Sequence, residues 1–189
     1  MRKLVLVVAA LAFAGRALAH ITPNVELVRK GDFLKENLPG ATKFFERRLM
    51  IAGGDGEAIR RATGWSPTEE DTKVYLGRDA QGGLVGTVVF LWLPSEHGPV
   101  GVAVAFDASR RIRRAAVTDV GSEPLAWVRP IVEGDGLKAL EGLEPDRRAD
   151  PARLAPPGSG SMTRYYAKVV ADGIFRAQQV AGVALEKNP

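Results

Sequence analysis

Apolar and polar positions along this chain fall into two regimes with different periods. From Lys73 to Val120 the pattern is that of strands. Lys73–Leu76 is one, and Leu84–Leu93 (LVGTVVFLWL) is a longer one, dense in β-branched and aromatic residues. Val100–Phe106 alternates Val102, Val104 and Phe106 with smaller residues, as a strand buried mainly on one face does. Asp107-Ala108-Ser109 reads as a hairpin turn into Arg111–Val120, so the stretch predicts an antiparallel meander. Beyond Gly121 the period becomes helical. Leu125, Val128 and Val132 share one face, Leu137, Leu140 and Leu143 predict a second short helix, and Met162–Leu185 predicts a long amphipathic helix with Tyr166, Val169, Val170, Ile174 and Val180 as its stripe.

Ahead of the meander the signals are shorter. Phe33, Leu34 and Leu38 predict a helix ended by Pro39-Gly40, Thr42–Ile51 a strand, and Glu57–Thr63 a helix stopped by Gly64, while residues 20–28 read as turns. Residues 144–161 (EPDRRADPARLAPPGSGS) are too long for a minimal loop and predict a segment that is either disordered or functional. The fold class that results is α+β: an antiparallel sheet packed by helices, with a long C-terminal helix.

The first 19 residues change how the charge is read. Arg2 and Lys3, the apolar run Leu4–Ala14 and Ala17-Leu18-Ala19 have the build of a secretory signal peptide, too short in its apolar part to span a bilayer. The expected mature protein begins at His20 and is periplasmic or otherwise extracytoplasmic. Of the 26 basic and 22 acidic residues, Arg2, Lys3 and Arg16 leave with the leader, so a formal +4 becomes +1. That near-neutral balance gives no electrostatic case for nucleic acid. The absence of cysteine excludes disulfides, a thiol nucleophile and c-type haem attachment. The expected division is a leader over 1–19, an N-terminal extension of unknown role over 20–72, and an α+β domain over 73–189; 20–189 as one globular unit is the alternative.

Three stretches carry a resemblance. His97-Gly98-Pro99 runs into the Val100–Asp107 strand, Val117–Val120 runs into Gly121-Ser122-Glu123-Pro124-Leu125, and Gly158-Ser159-Gly160-Ser161-Met162-Thr163 opens the last helix. In order and spacing they resemble the FMN-binding domain of the extracytoplasmic flavin subunits of Rnf and sodium-pumping quinone-reductase complexes, over about residues 84–183. Ser122-Glu123-Pro124-Leu125 stands where that family has Glu-Thr-Pro-Gly, and Thr163 stands where its attachment motif carries FMN through a phosphodiester bond. The Asp that a flavin transferase uses in that family is absent, Asp150 being the nearest upstream.

The resemblance implies an exported FMN-binding electron carrier rather than a turnover enzyme. Its implied partners are membrane-associated redox proteins and a flavin transferase, with Thr163 as the covalent candidate. The implied flavin contacts are Gly98, Pro99, Gly121, Ser122, Glu123, Pro124, Leu125, Trp127, Ser159, Gly160, Ser161, Met162 and Thr163. Both the first two stretches are expected to converge on the start of the last helix, with the Thr163 hydroxyl reachable from solvent.

Independently of the family, the third stretch has the chemistry of a phosphate site: two glycines for close approach, three hydroxyls and a helix N-terminus. Ordinary helix capping explains the same residues. The alternative to a flavoprotein is a cofactor-free or copper-binding exported module of the same fold. In the copper version His20, as the new N-terminus, chelates a metal with His97 completing the site. Trp92 reads as core, and Arg110, Arg111, Arg113 and Arg114 as a solvated hairpin edge. Glu69-Glu70-Asp71 reads as a solvated turn or helix start.

Overall fold

A computed structural model describes residues 23–49, 51, 53–67 and 72–186; the leader, His20 and Glu69-Glu70-Asp71 lie outside them. In chain order the elements are β1 (Asn24–Glu26), α1 (Lys30–Asn37), β2 (Lys43–Arg48), α2 (Gly53–Thr63), β3 (Lys73–Arg78), β4 (Leu84–Leu93), β5 (Val100–Asp107) and β6 (Ile112–Gly121). Then follow α3 (Leu125–Glu133), a 3₁₀ turn (Lys138–Leu140), α4 (Pro151–Leu154) and α5 (Ser161–Glu186). The strands form one antiparallel sheet in the order β1-β6-β5-β4-β3-β2, so the fold is α+β. Residues 24–48 supply both edge strands of the sheet that the meander begins. β1 replaces an expected turn: three residues pairing Asn24 with Gly121 are too few to show a period.

Alternation along β4 and β5 divides the core into two layers. Val89, Leu91 and Leu93 of β4 and Val100, Val102, Val104 and Phe106 of β5 face α3 and α5, which add Val128, Ile131, Tyr166, Val170, Ile174 and Val180. Fully burying each of these large side chains contributes roughly 1.5–3 kcal/mol before entropy is counted. The opposite face carries smaller residues, Val88, Ala103 and Ala105, and is covered by α1 through Phe33 and Leu38. Leu38 enters a notch made by two glycines paired across β3 and β4, Gly77 and Gly86: a Cβ on either would come within 2.8 Å of a Leu38 methyl.

Trp92 corrects the sequence reading. Its side chain falls on the α1 face, past the end of that helix, and it is 49% exposed instead of core. Its aliphatic neighbours Leu91 and Leu93 point to the other face, which is why they do not bury it.

The arginine hairpin is not a bare edge either. Arg111 meets Glu144 at 2.7 Å, Arg114 meets Glu141 at 3.3 Å and Arg110 meets Asp146 at 3.5 Å. Backbone bonds from Ile112 to the Leu143 carbonyl and from Gly142 to the Ile112 carbonyl fasten the same segment. The Pro-rich connection is thus ordered by its ties to β6 and by α4, which Asp150 caps through the Ala152 N–H with Pro151 at the helix start.

On the α1 face, Lys30 donates to the Tyr75 hydroxyl, which donates to Glu46, linking α1, β3 and β2. Burial, and then the Glu46 carboxylate, push the Tyr75 phenol well above its ordinary range, and burial also raises Tyr166. A raised phenol contributes stability that is complete below the unfolded value of about 10 and lost as pH climbs through the folded value. Denaturant midpoints should therefore fall between pH 8 and pH 11, and the fall should be shallower in Tyr75→Phe.

Candidate functional site

The first two stretches meet. Gly98 has φ +115°, a conformation that favours glycine, and a Cβ there would lie 3.8 Å from the Gly121 Cα. The Gly121 N–H donates to the Pro99 carbonyl, and Pro124 accepts from the Trp127 and Val128 amides to start α3. His97 Nδ1 lies 2.8 Å from Glu123 Oε1, tying the β4–β5 loop to the turn before α3. The Trp127 ring sits between His97, edge-on at 5.0 Å, and Tyr166, stacked at 6.0 Å, with Tyr165 edge-on to Tyr166 at 5.1 Å. Ser95 donates its hydroxyl proton to the Gly98 carbonyl, so the Tyr166 hydroxyl, 3.0 Å away, donates to Ser95. The second turn of α5 is thereby fastened to both loops.

The third stretch opens on a different flank of that helix. Gly158 and Ser159 border a groove of about 670 Å³, with Arg153 and Arg164 in its wall and Gly136 and Pro156 behind them. Arg164 donates to the Ser159 carbonyl and Ser159 to the Pro156 carbonyl, which shapes the loop. A smaller groove of about 390 Å³ shares Arg164 and Ala152 and adds Arg148 and Lys168. The start of a 26-residue helix thus follows closely on two residues of this groove, which Arg164 and Arg153, the latter 3.9 Å from Asp150, also line. None of Gly98, Pro99 or Gly121–Trp127 lines it. At 3.6 residues per turn Arg164 and Tyr166 stand roughly 200° apart, so the helix start itself separates the groove from the loop cluster.

Placement of the expected contacts is therefore uneven. Pro99, Ser122, Glu123, Gly160 and Ser161 are exposed, Gly98, Leu125, Trp127, Ser159 and Met162 half-buried, and Gly121 and Pro124 buried. Thr163 is in the first turn of α5, as expected, but it is a buried residue, 7% exposed, where the sequence reading expects it open to solvent. It shares the helix face of Ala167 and Val170, which are core. Three residues were missed. Tyr166 was assigned only to the apolar stripe, and Arg153 and Arg164 were not singled out, although a basic residue directly after Thr163 was a usable signal for an anion.

Of the copper pair, His20 is outside the described residues and His97 is engaged by Glu123. Among the described residues no group of three His, Cys, Asp or Glu is placed to hold a metal, and no helix is long and apolar enough to cross a membrane. No family model, curated protein or solved structure matches the chain.

Proposed function

We propose that this is an exported FMN-binding electron-transfer protein that serves membrane-associated redox partners and holds its flavin without a covalent bond. One observation carries the reading: Gly158 and Ser159, just ahead of the positive end of α5, border a groove that Arg153 and Arg164 also line. Backbone N–H groups of a helix start and a guanidinium together suit a phosphate monoester. The residues present fit the phosphate end of FMN through Arg164, whose guanidinium keeps donors beyond the one given to the Ser159 carbonyl, beside the start of α5. An ester at Thr163 is not part of this reading, because that residue is 7% exposed, shares the helix face of the core residues Ala167 and Val170, and does not line the groove. When bound, the flavin supplies the redox chemistry; the chain anchors the phosphate and sets local charge through Arg153 and Arg164.

A cofactor-free exported module is the second reading. It is favoured by the closed set of contacts among His97, Trp127, Tyr166 and Ser95, which satisfies the loops with no ligand. Purified protein titrated with FMN separates the two. The expected result is quenched flavin fluorescence at 1:1 stoichiometry and complete release of the flavin on denaturation, even after co-expression with a flavin transferase. Flavin mass retained on denatured protein overturns the non-covalent claim, and no binding at all leaves the cofactor-free module.

A further inference from the structure

β2 is the outer strand of the sheet, paired on one side by β3 and, among the described residues, by nothing on the other. The Leu49 N–H donates to the Thr72 carbonyl, which makes Leu49 and Thr72 a hydrogen-bonded pair. Counting back by twos, Lys43, Phe45 and Arg47 turn their backbone groups toward β3, and Phe44, Glu46 and Arg48 turn theirs outward. All six side chains are exposed, and Phe44 (37%) and Phe45 (39%) stand on opposite faces of the sheet.

Charge states what this edge suits. Glu46, its one acid, is taken by the Tyr75 hydroxyl and by Lys73 at 3.7 Å. Among the described residues no carboxylate lies within ion-pair distance of Lys43, Arg47 or Arg48, whereas Arg110, Arg111 and Arg114 each have one. Lysine and arginine on an edge deter aggregation, but that role does not call for two exposed phenylalanines beside them. A second copy is a poor occupant: two-fold pairing that sets Phe45 against its own copy also sets Lys43 against Arg47. We propose that β2 receives an extended acidic segment of a partner protein as a seventh strand, with carboxylates against Lys43, Arg47 and Arg48 and apolar residues over Phe44 and Phe45.

The test uses the full chain and a labelled synthetic seven-residue peptide, Thr-Glu-Glu-Thr-Val-Val-Glu, which paired antiparallel sets Glu against Arg48, Arg47 and Lys43 and Val against Phe45 and Phe44, with a twin carrying Lys for Glu as control. The acidic peptide should bind at least tenfold tighter than its twin, slow amide exchange at Phe44, Glu46 and Arg48, and lose at least tenfold in affinity in Arg47→Glu/Arg48→Glu. Phe44→Pro, which removes one outward N–H, should weaken it similarly; should that variant not fold, the charge reversal decides alone. Equal affinity for the twins, protection elsewhere, or indifference to the charge reversal overturns the proposal. Replacing Glu69, Glu70 and Asp71 with their amides should leave affinity within tenfold. A larger gain shows the chain's own acidic run as the occupant and overturns the partner.

Discussion

Gly86→Ala should lower stability by about 3 kcal/mol or more, read as a drop in the denaturant midpoint. The added methyl would press into the Phe106 carbonyl on β5 and lie 2.8 Å from a Leu38 methyl. The leucine could rotate away, but the carbonyl belongs to a ladder held on both sides and has nowhere to go. Strand separation or loss of the α1 contact must follow, and both remove buried area. A control is Gly82→Ala: nothing lies within 4 Å of its Cβ, and its φ of +90° should cost only about 1 kcal/mol.

Arg164→Ala should weaken FMN binding by roughly 10- to 150-fold, the worth of one charge-assisted hydrogen bond of about 1.5–3 kcal/mol. Because Arg164 also holds the Ser159 carbonyl, loosening of the loop has to be told apart from loss of the charge. Riboflavin does that, since it lacks the phosphate: its affinity should stay within about threefold, an arbitrary margin well below the cost of a lost charge-assisted bond. Thr163→Val should leave both ligands nearly unaffected, because a buried hydroxyl in the first turn makes no contact with a phosphate outside it. Calorimetric titration of the two ligands against the two variants is the measurement. Equal losses for FMN and riboflavin in Arg164→Ala would remove the phosphate from that end of the helix.

How much of this was readable beforehand varied with burial. The Leu84–Leu93 strand was readable to its ends because valine and aromatic residues fill it and Pro94 follows. The long helix was readable because its stripe runs unbroken over more than five turns. Trp92 was misread because a run of apolar letters does not say which face each letter takes, nor how far α1 reaches across the sheet. The arginine hairpin is solvated, as its composition suggests, but its acidic partners were not legible, because they lie about 30 residues downstream in a segment whose composition suggests disorder. At the candidate site, the chain order of three glycine-containing turns was visible. That Arg164 and Tyr166, two residues apart, serve different sides of one helix was not, since it depends on what packs against each side.

The position of α5 after every strand of the sheet bears on synthesis. The apolar side of the sheet, from Val89 to Val117, has no cover of comparable size until the last 26-residue helix is complete, and β1 cannot pair until β6 exists. At about 5–20 residues per second the 189-residue chain takes roughly 10–40 s to make. For about half of that time, from the end of β4 at residue 93 to the end of α5 at residue 186, its valine-rich strands wait for that cover. A nascent chain of this design relies on holding factors rather than on early folding. It also stays threadable through a narrow channel until α5 emerges, which suits the export proposed above.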